Sequence, residues 1–366
     1  MQSALSGSIA LDIIKQSFDS IDVVICDLNM PGMDGVELMR HLANLNFSGA
    51  IIITSGEDVR ILRTVEKLAI EHQLQVLGIL QKPLLPVKIR ALLEQFHYAK
   101  KGGSPILGEG ITPEELKQAI LKDEIIIFFQ PKVEMRTAKV VGMEVLVRWE
   151  HPQKGIIMPG SFIPMAEENN LISALTDIVC KKALKQTAIL QEKGFNLNIA
   201  INISVDTLNN LDWPNQMAEQ IDAAGITASC ITFEITESRL MAHIAVALDI
   251  LSRLSLKRFN LSIDDFGTGY SSMEQLQRIP FSELKIDRAF VSGADEDDSA
   301  LAIIESSILL AKKLDMTIVA EGVETQQEWD LMLELGCNQV QGYFISRPLP
   351  FDQILEWLIK WQFDHS

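Results

Sequence analysis

From residue 111 onward, eight strand-like runs alternate with helical patterns, and this rhythm limits the possible folds more than any other feature of the sequence. The strand-like runs lie at 125–133, 140–149, 197–204, 230–237, 260–265, 283–288, 317–323 and 339–345. Helical patterns lie between most of them, at 171–193, 214–224, 239–257, 299–314 and 326–335. Eight strands with interposed helices over about 250 residues are typical of a β/α barrel. A doubly wound sheet is the alternative architecture.

Within these strands, apolar residues alternate with polar or acidic ones. In the run 230–237, for example, Phe233 and Ile235 alternate with Glu234. Where helices cover the outside of a barrel, the apolar series packs against them and the polar series faces the barrel axis. Charges inside a barrel are costly unless they are paired or bind a metal. The alternation therefore favours a functional site over a solvated surface.

Polar side chains gather near the carboxyl ends of the predicted strands, where a β/α barrel forms its active site. The residues are Glu144, Asn202, Glu234, Asp264, Asp265, Glu321 and Glu324, with Lys285 and Arg148 as cations. Oxygen donors without His or Cys suit Mg²⁺ or Mn²⁺ and suit Zn²⁺ poorly. Any one of these residues alone is more often part of an ion pair or a helix cap. Their convergence indicates a metal site.

Two adjacent carboxylates, Asp264 and Asp265, end a strand just before a Gly-rich turn in the stretch LSIDDFGTGYSS (261–272). An isolated Asp–Asp pair is more often a helix cap or a solvated turn. In this setting, the pair would bridge two metal ions about 3.5–4 Å apart, the spacing used for in-line displacement at phosphorus. Lys285 would orient the attacking water, and Glu321 would take its proton.

Residues 1–97 show a separate α/β pattern. Strand-like runs lie at 21–28, 49–56 and 74–80, with helical patterns at 36–45, 59–72 and 86–96. This order predicts an open, doubly wound parallel sheet with functional groups at the carboxyl ends of its strands. Residues 98–110 carry Gly, Ser and charge without periodicity, which predicts a linker between this domain and a second domain at 111–366.

The first domain resembles the receiver domain of response regulators, on CDLNMPGMDG (26–35), IIITSGED (51–58) and the triplet QKP (81–83). The resemblance implies that Asp27 accepts a phosphoryl group from a sensor histidine kinase, and that Thr54 and Lys82 contact its oxygens.

The receiver-like domain departs from the family at its N-terminal end. In the family, a strand, a helix and the acidic pair that holds Mg²⁺ come before the segments that match. Here the chain opens on SGSIALDIIKQ (6–16), which resembles the second helix of that fold, and Leu80 replaces the usual aromatic before the lysine. We therefore expect an N-terminally incomplete receiver, or a docking domain without phosphotransfer. Met1 as the natural start and a cut inside a longer receiver both remain open.

Residues 111–366 resemble the EAL-type cyclic di-GMP phosphodiesterase domain along their whole length. The matching segments are FFQPKV (128–133), GMEVLVRWEHP (142–152), INIS (201–204), FEITES (233–238), IDDFGTGYSS (263–272), LKIDRAFV (284–291), VAEGVET (319–325) and QGYFISRPLP (341–350). The resemblance implies a TIM-like (β/α)8 barrel that hydrolyses cyclic di-GMP to linear pGpG with Mg²⁺ or Mn²⁺. It also implies a homodimer or a higher homo-oligomer.

The same resemblance assigns expected roles to individual residues. One metal ion would be held by Glu144, Asn202, Glu234 and Asp264, and Asp265 would join Asp264 on a second ion. Lys285 and Glu321 would handle the attacking water, with Glu324 assisting nearby, and Gln341 would bond a water ligand of the metal. Gln130 and Arg148 would contact the dinucleotide. Glu237 would anchor the loop 266–272. The motif that names the family reads Glu144-Val145-Leu146, with Val in place of Ala. Because Val145 would face the helices, we expect activity to survive.

Net charge, cysteine spacing and hydropathy limit the partners and the cellular compartment that we expect for this protein. The net charge of −17, without a basic stripe, argues against a DNA-binding protein. Four widely spaced cysteines predict reduced thiols in a cytoplasmic protein. No apolar run is long enough to span a bilayer, and the N-terminus is a poor signal peptide, so we expect no membrane association.

Two alternatives to an active enzyme remain. The barrel domain would serve as a non-catalytic cyclic di-GMP receptor, or the receiver-like domain would make the chain a partner-docking protein. A diguanylate cyclase and an HD-type phosphodiesterase are disfavoured, because the sequence contains neither a GGDEF-like stretch nor a His-Asp pair.

Overall fold

The chain divides into two compact units, Met1–Pro105 and Ile106–Ser366, in a computed structural model. The residues that the structure describes are 3–16, 21–45, 47, 49–56, 59–72, 74–82, 84, 89, 92–93, 111–205, 207, 210–237, 240, 244–268, 276, 278–295 and 297–364. The predicted linker at 98–110 and most of the predicted helix at 86–96 lie outside this set. Among the described residues, no helix combines the length and the apolar run needed to cross a bilayer.

The first unit contains a three-stranded parallel sheet. Its elements are α1 (Gly7–Gln16), β1 (Val23–Asp27), α2 (Gly35–Asn44), β2 (Ala50–Ser55), α3 (Val59–Glu71) and β3 (Gln75–Gln81). The order is β1-β2-β3, so β2 is central, and every residue of β2 is buried. Helix α2 begins where Asp34 accepts a hydrogen bond from the Glu37 amide. The parallel doubly wound pattern predicted for this part of the chain is confirmed.

The second unit is a closed barrel with helices around it. Its strands are β4 (Ile125–Glu134), β5 (Val140–His151), β6 (Gly155–Ile157), β7 (Asn198–Asn202), β8 (Ile231–Thr236), β9 (Asn260–Phe266), β10 (Glu283–Ile286), β11 (Thr317–Glu321), β12 (Gln339–Gln341) and β13 (Leu349–Pro350). Its helices are α4 (Pro113–Leu121), α5 (Pro159–Glu168), α6 (Ile172–Glu192), α7 (Trp213–Ala224), α8 (Ile244–Leu256), α9 (Arg288–Val291), α10 (Asp298–Lys313), α11 (Gln326–Leu335) and α12 (Phe351–Asp364).

Eight of these strands form the barrel, in the order β4-β12-β11-β10-β9-β8-β7-β5, and the ring closes because β4 also pairs with β5. The two short strands, β6 and β13, add to the outside of this ring at β5 and β4. All eight predicted strands are present, so the (β/α)8 prediction is confirmed and the doubly wound alternative is wrong for this unit.

One barrel strand runs against the others. Strand β4 pairs antiparallel with both β5 and β12, whereas the remaining neighbours within the ring are parallel. The cause is the short connection at 135–139, since a parallel neighbour requires a long crossover and an antiparallel one needs only a hairpin. The hairpin is closed by a 2.9 Å bond from the Glu134 amide to the Lys139 carbonyl.

Side-chain alternation in the barrel strands follows the predicted phase. On β5, Met143 and Val145 belong to the apolar core between the strands and the helices, while Glu144 points into the barrel and contacts residues of other strands. Val145 is buried in this core, the position expected for the Val that replaces Ala.

Candidate active site

A single lysine lies at the centre of the acidic cluster inside the barrel. The Nζ atom of Lys285, on β10, is 2.6 Å from Glu321, 2.9 Å from Glu234, 3.2 Å from Asp264 and 3.5 Å from Glu144. These acids come from four different strands. The Lys285 side chain is 1% exposed. The structure therefore brings together five of the residues that the sequence singled out.

Two side-chain amides complete the surroundings of Glu144. The Asn202 Nδ2 group donates to Glu144 Oε1 at 2.7 Å, and the Gln341 Nε2 group donates to Glu144 Oε2 at 2.6 Å. Asn202 also lies 3.4 Å from Glu234 Oε2. Because both of its oxygens are engaged, Glu144 is held in a single orientation.

Asp264 and Asp265 reach the same cavity although they are adjacent in the chain. Neighbouring residues on a regular strand point to opposite faces of the sheet. Here the pairing of β9 with β10 slips in register, and Asp265 adopts a left-handed backbone with φ of 54°. This bulge turns the second carboxylate inward. As a result, ligand oxygens of Asp264, Asp265 and Glu321 lie within 4.8 Å of one another.

Gln130 joins the site through the antiparallel strand β4. It is paired in register with Glu144 on β5, and its Oε1 atom accepts a 3.1 Å bond from Gln341. Its own Nε2 group donates to the Ser346 carbonyl at 3.2 Å. Gln130 therefore contacts the cluster through Gln341 and lies opposite Glu144 on the neighbouring strand.

Sequence reasoning missed a buried ion pair that adjoins the cluster. The Nζ atom of Lys132 lies 3.0 and 3.1 Å from the two carboxylate oxygens of Glu283, and 3.8 Å from Glu234 Oε1. The Lys132 side chain is 1% exposed. The signal was present in the strand phase, because Lys132 follows Gln130 by two residues and Glu283 precedes Lys285 by two.

Glu324 lies at the rim, in the turn after β11. Its carboxylate is 2.8 Å from Arg288 Nη2. The turn is fixed by the start of α11, where Thr325 caps the helix and Glu328 accepts bonds from the amides of Glu324 and Thr325.

Two further predicted residues occupy supporting positions. Arg148 is buried, donates to the Val147 carbonyl at 2.8 Å and lies over the ring of Phe128. Glu237 accepts a 2.9 Å hydrogen bond from the amide of Gly267, which is the contact expected of a loop anchor. Residues 269–272 of that loop lie outside the described part of the chain.

The cluster carries more negative charge than its single lysine offsets. Burial raises the pKa of Glu234 to about 8, with Lys285 acting in the opposite direction. Burial and the adjacent Asp264 raise the pKa of Asp265 to about 7. Burial also raises the pKa of Glu321. For Glu144, burial is outweighed by Lys285 and the two amide donors, so its pKa is lowered.

The pKa of Lys285 is also raised, but by its charged neighbours and against the effect of burial. Burial alone would lower its pKa, but the carboxylates of Asp264, Glu144 and Glu234 raise it well above its usual value. The lysine is therefore an ammonium that serves as the shared counter-ion of four acids.

The donor set fits a hard divalent cation. The buried Oε1 atoms of Glu234 and Gln341 accept no hydrogen bond from the described residues. Glu234 Oε1 has Lys132 Nζ 3.8 Å away, whereas oxygens of Asp264, Asp265 and Glu321 converge within 4.8 Å, and carboxylate ligands of this kind are those that Mg²⁺ or Mn²⁺ prefers. We infer the presence of a divalent metal site from this chemistry.

The predicted phosphoacceptor site lies in the first unit. Asp27 ends β1, and its Oδ2 atom is 2.5 Å from Lys82 Nζ, with side chains 30% and 43% exposed. The hydroxyl of Thr54, at the corresponding end of β2, donates to the Cys26 carbonyl at 3.3 Å. The structure thus brings Asp27 and Lys82 together and places Thr54 on the neighbouring strand.

Comparison with known families and curated proteins extends over both units. A family model described as the EAL domain matches residues 113–348, and one described as the response regulator receiver domain matches residues 1–94. The cyclic di-GMP phosphodiesterase RocR of Pseudomonas aeruginosa is 33% identical over 358 residues, which cover 97% of this chain and 91% of RocR. The bifunctional diguanylate cyclase/cyclic di-GMP phosphodiesterase MucR of the same organism is 38% identical over 242 residues, 66% of this chain but 35% of MucR.

Solved structures show the same fold. The PaMucR phosphodiesterase in complex with c-di-GMP superposes with a TM-score of 0.63 and 38% identity, over 66% of this chain and 98% of that one. The EAL enzyme Bd1971, in its form with cAMP and cyclic di-GMP bound, gives a TM-score of 0.65 and 30% identity, over 74% of this chain and 75% of the other.

Proposed function

This chain belongs to the EAL domain family and carries a receiver domain, and from that membership we propose that it hydrolyses cyclic di-GMP to linear pGpG with divalent metal ions. The observation that carries the proposal is the buried cluster around Lys285, in which the acids and amides of the family motif converge. The relatives RocR and MucR, whose names give the same activity, support it.

The residues that would hold metal are those with oxygens facing the cavity, namely Glu144, Asn202, Glu234, Asp264 and Asp265. Five carboxylates, those of Glu321 and of the four acids in this list, share the cavity with one ammonium, which gives a formal charge of minus four that two divalent cations would neutralise. Bound ions would supply charge neutralisation and Lewis-acid polarisation of the phosphodiester. Mg²⁺ and Mn²⁺ both suit these ligands.

The chain's own groups supply the proton chemistry. Glu321, whose pKa is raised by burial, would accept the proton of the attacking water, and Lys285 at 2.6 Å would orient that water beside it. Gln341 would keep Glu144 in place, because its amide donates to that carboxylate at 2.6 Å. Gln130 and Arg148 would contact the dinucleotide, and Glu324 would assist at the rim.

The proposal extends to regulation and assembly. A sensor histidine kinase would phosphorylate Asp27, and Lys82 at 2.5 Å would then contact the phosphoryl group, with Thr54 close by. A homodimer is supported by a hollow lined by Phe266 at the end of β9 and by Ile303 and Leu310 of α10, the helix whose Leu309 is 60% exposed. We place the protein in the cytoplasm, where its four unpaired cysteines would stay reduced.

The experiment that tests the activity compares wild type with Glu144→Ala in Mg²⁺ and in Mn²⁺. We expect wild type to convert cyclic di-GMP to pGpG, and the variant to lose roughly two orders of magnitude or more in rate, the scale typical of losing a metal ligand. Chromatography of the products measures both. Arg136→Ala, in the exposed hairpin between β4 and β5, is the control. Wild type that binds cyclic di-GMP in EDTA without turnover in either metal would contradict the enzymatic assignment and favour a receptor.

A further inference from the structure

Arg288 occupies a distinctive place at the mouth of the barrel. The described residues that line the cavity there are Gln130, Glu144, Arg288, Glu321, Gly322, Glu324, Gln341, Gly342 and Tyr343. Three of these nine residues are acids and one, Arg288, is a cation. A ligand that enters this cavity to reach Glu144 and Glu321 therefore meets a single positive side chain among its lining residues.

The position of Arg288 depends on a glycine. Its stem lies across Gly322, where an added Cβ atom would be 2.2 Å from Arg288 Cγ and 2.5 Å from its Cβ. Gly322 also has φ of 68°, a left-handed conformation that favours glycine. The backbone between Glu321 and Glu324 is thus shaped so that the arginine lies over the end of β11.

Other cations lie near the site, and one of them, the exposed Arg347, lies over the ring of Tyr343, 4.4 Å from its centroid. Lys285 is buried among four carboxylates. Arg148 is buried and donates to a backbone carbonyl. The Arg288 side chain, by contrast, is 56% exposed, and its partner Glu324 is 39% exposed. Exposed ion pairs are weak, so Arg288 can exchange Glu324 for another anion at little cost.

A cyclic dinucleotide presents two phosphodiesters in one ring. The one that is cleaved must lie at the buried carboxylates, where divalent cations offset its charge. The other still carries a negative charge and must be accommodated in a cavity lined by acids, in a protein with a net charge of −17. A guanidinium is well suited to this task, since its planar fork donates two parallel hydrogen bonds to a phosphate.

We propose that Arg288 binds the uncleaved phosphodiester of the cyclic dinucleotide and releases Glu324 as it does so. This role rests on the proposed function and adds to it a residue that selects substrates with two phosphates. Arg288 would contribute to substrate binding more than to the chemical step, so its loss should raise KM more than it lowers kcat.

The test compares two substrates with the full chain. One is cyclic di-GMP, and the other is bis(p-nitrophenyl) phosphate, which has a single phosphodiester. For Arg288→Ala we expect kcat/KM to fall about 10- to 100-fold on cyclic di-GMP, the scale of a lost hydrogen bond to a charged group, and about twofold or less on the small ester. Arg288→Lys should fall between wild type and Arg288→Ala on cyclic di-GMP.

The control is Arg136→Ala, which removes the same charge from an exposed position in the hairpin before β5, eight residues before Glu144 in the chain. It should change kcat/KM by about twofold or less on either substrate. Calorimetric titration of the metal-free protein with cyclic di-GMP should show weaker binding for Arg288→Ala than for wild type and Arg136→Ala.

Three outcomes are distinguishable. Equal losses on both substrates would mean that Arg288 acts only through Glu324, and would overturn the proposal. Unchanged kinetics and binding for Arg288→Ala, with wild type active on cyclic di-GMP, would overturn it as well. Wild type that cleaves the small ester but leaves cyclic di-GMP intact would instead overturn the proposed function, and with it the substrate assigned to Arg288.

Discussion

Each unit of the chain places aspartate and lysine at the carboxyl ends of parallel strands, and the two arrangements differ in burial. In the receiver unit, Asp27 and Lys82 form one ion pair, with side chains 30% and 43% exposed. In the barrel, the Lys285 side chain is 1% exposed and has four carboxylates within 3.5 Å. The same residue types at the ends of parallel strands therefore form a partly solvent-exposed ion pair in the receiver unit and a buried cluster in the barrel.

The difference matters because water screens the first pair and is excluded from the second. An exposed ion pair contributes about 0–1 kcal/mol to stability, whereas removal of one partner of a buried pair costs about 3–5 kcal/mol. Charges in the barrel must therefore be balanced by specific neighbours. Because the barrel acids outnumber the lysine among them, their carboxylates are available as ligands for a cation that enters the barrel.

The largest effect should come from unbalancing the buried charges at Lys132. In Lys132→Met, the Glu283 carboxylate loses the cation that now lies 3.0 and 3.1 Å from its oxygens. We expect the free energy of unfolding of the barrel to fall by about 3–5 kcal/mol. Urea unfolding followed by tryptophan fluorescence reports on this unit alone, because all five tryptophans lie at or beyond residue 149.

The matched control removes both charges. Lys132→Met combined with Glu283→Leu leaves no unpaired acid at this pair and should recover most of the lost stability, since apolar replacement of a buried ion pair is often neutral or stabilising. A loss below about 1 kcal/mol in the single variant, the range of a surface pair, would mean that water reaches this pair and would erase the contrast between the two units.

A smaller effect should come from supplying the cation that the barrel acids are arranged to bind. At a free Mg²⁺ or Mn²⁺ concentration about 100 times its dissociation constant, we expect the barrel to gain about 2.7 kcal/mol of stability over the protein in EDTA. Asp264→Asn keeps the side-chain size and removes one ligand charge, so it should reduce the gain. The same fluorescence assay measures both proteins. An equal gain in the variant would place the ion elsewhere.

Much of the barrel fold could be predicted from the sequence, because the alternation of apolar and polar residues indicates both the number of strands and which side chains face the barrel axis. The direction of β4 was not predicted, since alternation reads the same both ways along a strand. The five-residue connection at 135–139 carried that information. The last predicted strand, 339–345, ends at Gln341 because the chain then enters a turn, in which the Gly342 carbonyl accepts 3.1 Å bonds from the amides of Ile345 and Ser346.

The candidate site divides in a similar way. Residues that follow the period of two, such as Glu144 and Glu234, could be placed in the barrel interior from sequence. The inward orientation of Asp265 could not be predicted from sequence. It depends on a bulge and on a backbone φ of 54°, and two adjacent aspartates do not by themselves indicate either. The Lys132–Glu283 pair shares the phase of predicted site residues, but its partners are 151 positions apart and meet only when the barrel closes.

The smallest effect should be found at the exposed pair of the receiver unit. A double-mutant cycle of Asp27→Ala and Lys82→Ala should give a coupling of about 0.2–1 kcal/mol, which salt at about 1 M should largely abolish because it shortens the Debye length to about 3 Å. Amide hydrogen exchange in β1 and β2 measures the stability of this unit without interference from the barrel. Lys15→Ala, an exposed lysine on α1, controls for the loss of one positive charge. A coupling above about 2 kcal/mol that resists salt would mean that Asp27 lies in a low-dielectric environment like that of the barrel acids. The two units would then differ in the number of their charged groups and not in the access of water to them.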